Sequence, residues 1–223
     1  MKRYLFPALL GIVGCAILIN LGLWQLRRLD WKEGMLAEIQ TRIDASAVPL
    51  PAQVDPSMKY MPVTVSGTTT GQEIDVLSGT REQGGGYQVV AGFVTDDGRR
   101  IMVDRGFVPQ ELHRIERGPT RLTIRGNLHW PQEHGSATPA PNLTENVWFA
   151  RDVPDMARQL DTLPVLVVAS LVQGDAQGVQ PVPVAIEGIP NNHLSYAMQW
   201  FLIAIAWAGM TVGLIWRIRQ RQY

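Results

Sequence analysis

Two long apolar segments, one near each end of the chain, limit the folds that this sequence can adopt. They cover residues 4–24 and 195–216, and each contains a single strongly polar residue, Asn20 and Gln199 respectively. As a helix, each segment would extend about 30 Å, which matches the hydrocarbon core of a bilayer. We therefore predict transmembrane helices at 4–24 and 195–216. A pair of buried helices in the core of a soluble protein is the alternative.

The N-terminal segment is open to two further interpretations, both of which would remove it from the mature chain or anchor it by lipid. It could be a cleaved secretory signal, and residues 12–15 (IVGC) resemble the lipobox of a lipoprotein. No A-x-A-like cleavage site follows before Trp24, and the apolar run continues for six residues beyond Cys15, whereas a lipobox normally closes its run. We therefore favour a retained helix.

The charged residues are distributed unevenly between the ends and the middle. All 20 acidic residues lie between Asp30 and Glu187, and residues 25–190 carry 15 basic against 20 acidic side chains. The two ends are basic, so the positive-inside rule places both termini in the cytoplasm and residues 25–190 outside it. Because the central segment has no basic excess, we expect no nucleic-acid binding.

This topology defines short cytoplasmic segments at 1–3 and 217–223. One cluster of basic residues conflicts with this orientation, because Arg27, Arg28 and Lys32 follow the first helix on the outer side. A domain of this length is translocated largely regardless of local charge, so the orientation stands. The charge pattern and the immediate start of the first helix favour a multi-pass protein of a bacterial inner membrane, with a periplasmic domain, over an organelle protein with a transit peptide.

The central segment, 25–190, is predicted to be a β-rich α+β domain. A polar helix at 27–44 should continue out of the membrane as a neck, and a short helix at 153–160 should begin after Asp152 as its N-cap. Strands are predicted at 60–66, 73–77, 87–95, 100–104, 122–130 and 165–171, with a hairpin turn at 96–98. The single cysteine, Cys15, excludes an intrachain disulfide.

Recognisable catalytic machinery is absent from the sequence. It contains no nucleophile elbow, Walker A, zinc-protease or Rossmann motif, and its only cysteine lies in an apolar run. His113, His129 and His134 occur in polar stretches at spacings that are not typical of metal sites, so we predict that they are solvated. We therefore predict that the protein is not an enzyme; a membrane-anchored hydrolase is the alternative, and it lacks a nucleophile–base set.

His193 stands apart from the other histidines, at the outer end of the second apolar segment. Pro190 and the two asparagines after it indicate a helix start, which puts His193 in the first turn. There the positive end of the helix dipole favours the neutral, metal-binding imidazole. Tyr196, Ala197 and Trp200 follow on the same helix face. This face could hold a flat macrocycle; the alternative is a histidine that only caps and anchors the helix.

The corresponding level of the first helix holds Trp24, Gln25, Arg27 and Arg28. Arginines at a membrane edge can form bidentate pairs with carboxylates such as the propionates of a haem. Contact with membrane lipid headgroups is the alternative for the same residues.

Three motifs in these regions resemble the Surfeit-locus cytochrome c oxidase assembly family. Residues 22–28 (GLWQLRR) resemble its G-x-W-Q-x-x-R signature, and residues 103–109 (VDRGFVP) resemble its V-N-R-G-W-V-P segment. Residues 191–201 (NNHLSYAMQWF) resemble its N-N-H-L-x-Y-A-x-x-W-F signature. Asp104 and Phe107 stand where the family has Asn and Trp, and we expect both changes to be conservative.

The resemblance implies an assembly factor for haem-copper (cytochrome c) oxidase that binds haem a and assists its insertion into subunit I, with haem a synthase as a further candidate partner. It implies that His193 is the axial ligand of the haem iron. The remaining candidate pocket residues are Trp24, Gln25, Arg27, Arg28, Tyr196 and Trp200. The alternative is a scaffold that holds subunit I ready for cofactor insertion and binds no haem itself.

Overall fold

The structure, a computed structural model, describes residues 2–80, 84–186 and 189–220. The chain divides into a helical unit, residues 1–38 and 186–223, and a sheet unit, residues 39–185. Four residues used in the charge pattern lie outside the described part: Arg81, Glu82, Glu187 and Arg221.

The helices are α1 (Lys2–Ile43), α2 (Val153–Leu160) and α3 (His193–Gln220). The strands are β1 (Val48–Pro49), β2 (Pro62–Thr80), β3 (Gly84–Thr95), β4 (Arg100–Pro109), β5 (Arg121–Leu128), β6 (Val147–Trp148) and β7 (Leu166–Gly174). The structure thus confirms the coarse architecture, in which an apolar helix near each end flanks a sheet-rich domain.

The two apolar helices, α1 and α3, are each long and apolar enough to cross a membrane, judged by length and composition. Only 11% of the apolar window of α1 and 6% of that of α3 is buried. This low burial contradicts the alternative of two core helices in a soluble protein. α1 continues without a break from its apolar segment into the predicted neck, and its 42 residues extend over about 63 Å.

Within the helical unit, α1 and α3 pack closely at glycines of α1. A Cβ atom added at Gly11, Gly14 or Gly22 would lie 2.2, 2.3 or 2.5 Å from the nearest side-chain atom of α3. The α3 partners are, in the same order, Thr211, Trp207 and Phe201. The contacts descend along α3 as they ascend along α1, so the two helices are antiparallel. Glycine allows this close approach because it has no side chain, as at interfaces between membrane helices generally.

Replacing Gly22 by Leu should separate α1 from α3 near their outer ends. The added side chain would meet the ring of Phe201, and overpacking of this kind costs about 1–3 kcal/mol. We expect a lower midpoint of thermal unfolding for the full-length protein in lipid nanodiscs. Gly213→Leu is the matched control, because no atom lies within 4 Å of a Cβ at that α3 position. Equal midpoints for the two variants would contradict this helix packing.

The sheet of the sheet unit closes on itself into a ring of five strands. β2 pairs with β5 through its first half and with β3 through its second half. The remaining pairings are β3 with β4, β4 with β7, and β7 with β5, so each strand of the ring has two neighbours. Among the pairings of these five described strands, β4 with β7 is the parallel one, and the others are antiparallel. A closed ring requires β2 to bend, and its pairing with β3 shifts register between Thr69 and Glu73.

Both faces of the ring are buried where β7 begins, which explains the continuous apolar run at 165–169. Residues from all five strands, such as Val65, Ile101 and Val167, form one core cluster inside the ring. Alternate residues of the same strands, such as Leu166, face outward and form a second cluster with α2. A strand with two buried faces needs apolar residues at every position rather than at alternate positions.

Most predicted elements of this unit are confirmed. Residues 96–98 form the turn between β3 and β4, and the Asp152 carboxylate caps α2 by accepting a hydrogen bond from the Asp155 N–H at 3.1 Å. The two strands predicted at 60–66 and 73–77 are instead one strand, β2. The residues between the two predicted strands belong to β2 as well, and its pairing with β3 shifts register there, between Thr69 and Glu73.

The segment that resembles the family motif V-N-R-G-W-V-P forms β4 and contains a bulge. Val89 pairs with Gly106 and Val90 pairs with Asp104, which leaves Arg105 as the extra residue. Gly106 has a φ of +119°, and a Cβ there would lie 1.9 Å from the carbonyl oxygen of Gln180. Only glycine meets both requirements.

Asp104 is less conservative than the sequence suggested, because it introduces a fully buried carboxyl group. Burial raises the pKa of Asp104, and the guanidinium of Arg151 at 2.8 Å opposes this shift. The carboxylate also accepts a hydrogen bond from the Gly106 N–H at 3.1 Å. An Asn at this position would need no cation, so Arg151 compensates for the charge that distinguishes this chain from the family pattern.

Replacing Gly106 by Ala should destabilise the sheet unit. Strain at a positive φ together with the clash against Gln180 should lower the free energy of unfolding by about 2 kcal/mol or more. Denaturant unfolding of the full-length protein, followed by tryptophan fluorescence, would measure the change. Gly118→Ala should be near neutral, since a Cβ there meets no atom within 4 Å. Similar losses in both variants would refute the role assigned to Gly106.

Candidate functional site

His193 is the first residue of α3, as the sequence predicted for the start of this helix. The backbone N–H of Tyr196 donates to the carbonyl oxygen of Asn192 at 3.2 Å and closes the first turn. The Oδ1 atom of Asn191 is buried and accepts no hydrogen bond from the described residues. Asn191 is therefore not the side-chain cap of the helix, and its oxygen is an unpaired acceptor two residues before His193.

The imidazole of His193 is hydrogen-bonded to Gln25 of α1. Its Nδ1 lies 2.8 Å from the amide oxygen Oε1 of Gln25. An amide oxygen can only accept a hydrogen bond, so a neutral His193 ring carries its proton on Nδ1. The second nitrogen, Nε2, therefore keeps its lone pair and can bind a metal. Sequence reasoning placed both residues at one level, and the structure pairs them directly.

The predicted aromatic residues around His193 differ in their exposure. Ala197 is buried and Trp200 is half-buried, so this side of α3 is packed. Tyr196 is 51% exposed and Trp24 of α1 is 48% exposed, which leaves both rings available to contact a ligand. Ala197, Trp200, Tyr196 and Trp24 thus do not form one closed pocket. The rings of Tyr196 and Trp24 remain exposed.

The two arginines after Trp24 are exposed on α1. The guanidinium carbon of Arg28 lies 4.6 Å from the ring centre of Trp31, a cation–π contact that the sequence analysis did not consider. Among the described residues, neither Arg27 nor Arg28 forms a hydrogen bond or ion pair with His193. The contact with Trp31 holds Arg28 along α1, whereas Arg27 is the less constrained of the two.

The donor set at His193 suits a metal that is already held by another group. No cluster of three or more His, Cys, Asp or Glu residues suited to a metal ion occurs in the described ranges. A bare zinc ion usually takes three or four protein ligands. A haem iron carries four porphyrin nitrogens and needs only an axial ligand, which a single histidine can supply. The residues present therefore fit a haem better than a bare ion.

A second group of polar residues lies in the sheet unit and was missed from the sequence. Arg105 and Arg117 are both buried, and each donates to one carboxylate oxygen of Glu73, at 2.8 and 3.1 Å. His113 is half-buried and stacks on Tyr87, with ring centres 4.4 Å apart. The prediction of a solvated turn around His113 holds only in part: Arg114 and Glu116 are exposed, whereas His113 stacks on Tyr87 and Arg117 is buried against Glu73.

The prediction for His129 also differs from the structure. Its ring is half-buried beside Tyr60, and its Nδ1 has no hydrogen-bond partner among the described residues. Burial lowers the pKa of His129 to about 4, and nearby Lys59 and Arg151 act in the same direction. The ring is a neutral packing residue at the end of β5 rather than a surface histidine.

Comparison with known proteins agrees with the motifs at these sites. The model of the SURF1 family matches residues 12–205. The human protein named Surfeit locus protein 1 is 30% identical over 216 residues, covering 84% of this chain and 70% of the relative. A SURF1-like protein of Rickettsia felis is 29% identical over 209 residues, covering 89% of this chain and 92% of the relative.

A yeast relative carries a name that states a role. It is called cytochrome oxidase assembly protein SHY1, from Saccharomyces cerevisiae, and is 28% identical over 173 residues, covering 65% of this chain and 41% of the relative. The family match covers most of the chain, including Gln25 and His193, and confirms the resemblance seen in the sequence motifs. The chain therefore belongs to the SURF1 family.

Proposed function

We propose that this protein is a membrane-bound assembly factor for cytochrome c oxidase that binds haem a and presents it for insertion into subunit I. The observation that carries the proposal is the hydrogen bond from His193 Nδ1 to Gln25 Oε1, since it leaves Nε2 free as a ligand. The name of the yeast relative supports the assembly role. Haem a synthase is the partner expected to supply the haem, and no chemical reaction is assigned to the protein itself.

The proposed setting is a bacterial inner membrane, with the sheet unit in the periplasm. Because α1 and α3 are antiparallel, the start of α1 and the end of α3 lie on the same side. Arg217 and Arg219 occupy the last turn of α3, and basic residues flanking membrane helices favour the cytoplasm. His193 and Gln25 are at the other, outer end of the pair.

The chain's own residues provide different environments for the parts of haem a. The iron would be bound by Nε2 of His193, while the open rings of Trp24 and Tyr196 offer flat apolar faces for the macrocycle. The farnesyl tail would lie along the apolar helices, and the propionates would face the aqueous surface near Arg27. One protein ligand holds a haem less firmly than two, which suits a protein that must release it.

Removing the ligand or its partner should change haem retention to different degrees. The full-length protein would be purified from cells that make haem a, and its absorption spectrum recorded. We expect a Soret band for the wild type, none for His193→Ala, and about tenfold weaker haem retention for Gln25→Leu, because the second residue orients the ring without binding iron. Gln199→Leu is the matched control, since Gln199 is an exposed residue of the same α3 helix.

Two outcomes decide between the carrier and the alternative. A colourless wild type, or an unchanged Soret band in His193→Ala, would overturn haem ligation by His193 and favour a scaffold that holds subunit I without binding haem. A Gln25→Leu variant that retains haem as well as Gln199→Leu does would remove Gln25 from the site.

Arg27 should contribute to haem retention through a propionate. Arg27→Gln removes one ionic partner, and we expect the haem to dissociate several-fold faster at low salt, with the difference shrinking at high salt because exposed charges are screened. Lys32→Gln is the control for loss of a positive charge on the same helix. Equal dissociation rates in both variants would assign Arg27 to lipid contact instead.

A further inference from the structure

A cleft in the sheet unit collects charged residues that the haem site does not use. Two adjoining cavities of about 610 and 760 Å³ share Asp75, His113, Arg114, Glu116 and Asn146 as lining residues. We call them together the acidic cleft. Ligand sites in proteins usually measure about 300–1,000 Å³, so each cavity has the size of a binding site.

Asp75 of β2 forms the floor of the acidic cleft. The residue is 6% exposed, and its Oδ1 atom is buried without a hydrogen-bond partner among the described residues. Its neighbours Ile74 and Val76 belong to the core cluster packed against α2, so the alternation of the strand turns Asp75 to the opposite face. A buried carboxylate oxygen normally has a hydrogen-bonding partner, and the Oδ1 atom of Asp75 has none among the described residues.

The two buried arginines that pair with Glu73 have all their described contacts with other groups. Arg105 donates to Glu73 and to the carbonyl oxygen of Ala176 at 2.9 Å. Arg117 donates to Glu73 and to the carbonyl oxygen of Leu112 at 2.8 Å. In the described part of the chain, no basic side chain forms an ion pair with Asp75. The two arginines therefore complete the Glu73 network and leave the carboxylate of Asp75 free.

The lining of the acidic cleft has an excess of negative charge. Its acidic residues are Glu73, Asp75, Glu111, Glu116 and Glu145, and its arginines are Arg114 and Arg117. Burial, and next the charge of Glu73, raise the pKa of Asp75 to about 6, against weaker opposing effects of Arg117 and His113. Burial and the Glu73 charge thus destabilise the Asp75 carboxylate more than Arg117 and His113 stabilise it.

We propose that the acidic cleft binds the guanidinium group of an arginine side chain on a partner polypeptide, with Asp75 as its carboxylate partner. A guanidinium can pair bidentately with a single carboxylate, whereas a metal ion would need further ligands that the described residues do not supply. The stacked rings of Tyr87 and His113 form a flat wall of the kind on which guanidinium groups stack.

A polypeptide is a better occupant than a free small cation because the acidic residues continue outward from Asp75. Glu111, Glu116 and Glu145 are exposed on the rim, where they would attract a basic surface rather than enclose a small molecule. The site uses no residue of the helical unit, so this proposal does not depend on haem binding.

A peptide titration tests the proposal with the intact protein. Full-length protein in uncharged phosphatidylcholine nanodiscs would be titrated calorimetrically with acetyl-Gly-Gly-Arg-Gly-Gly-amide, and with the same peptide carrying uncharged citrulline. We expect binding of the arginine peptide only, weakened about tenfold or more by Asp75→Asn. Asp161→Asn is the matched control, because that carboxylate is exposed and lies outside the cleft.

Other results of the titration would contradict either the arginine site or its polypeptide occupant. Equal binding of the arginine and citrulline peptides, or an unchanged affinity in Asp75→Asn, would overturn the site. Binding of agmatine, a free guanidinium compound, without binding of the peptide would overturn the polypeptide as the occupant. His193→Ala should bind the peptide normally, so a failure of haem binding and a failure of this proposal are separable.

The stability of Asp75→Asn provides a check that the variant is folded. A pKa raised above that of the unfolded chain means that the wild type loses stability as the pH rises from about 4 through 6. The charged and titratable groups that line the cleft with Asp75 are Glu73, Tyr87, Glu111, His113, Arg114, Glu116, Arg117 and Glu145. We expect Asp75→Asn to unfold at a higher temperature than the wild type at pH 7.5, with a smaller gap at pH 4. A lower midpoint at pH 7.5 would show that the carboxylate already has a partner.

Discussion

The close approach of α1 and α3 at the glycines of α1 is the contact on which the proposed haem site depends. Gly22 packs against Phe201 less than one helical turn before Gln25, so the spacing at this glycine determines whether Gln25 can reach His193. A hydrogen bond of 2.8 Å tolerates little change in the distance between two helices. The apolar helices are therefore more than anchors, because their packing selects the nitrogen of His193 that stays available.

The motif at 103–109 in the sheet unit has structural roles that involve no ligand. In the segment at 103–109, Asp104 pairs with the half-buried Arg151, Arg105 is the extra residue of a bulge, and Gly106 permits a close backbone approach. The bulge also directs Arg105 toward Glu73, where it completes an ion-pair network. None of these roles involves the helical unit, so this motif and the His193 motif are maintained for different physical reasons.

Sequence patterns predicted the elements that depend on residues close together in sequence. They failed for the features that depend on contacts between residues far apart in sequence. The apolar helices, the turn at 96–98 and the cap at Asp152 follow from composition and short spacing. The union of two predicted strands into β2 depends on pairing with β3 and β5, which no local pattern contains. The burial of Arg117 and the pairing of Gln25 with His193 likewise require residues far apart in sequence, although the family motifs had already marked the latter two residues.

The two shortest strands, β1 and β6, cover the parts of β2 that would otherwise be exposed strand edges. The first half of β2 does not pair with β3, and there β1 pairs with Val63 and Thr64. The second half of β2 does not pair with β5, and there β6 pairs with Asp75 and Val76. Exposed strand edges recruit strands of other molecules, and short covering segments are a common protection. A chain with a single cysteine has no intrachain disulfide to oppose such association, so the four residues of β1 and β6 would keep neighbouring copies from pairing edge to edge.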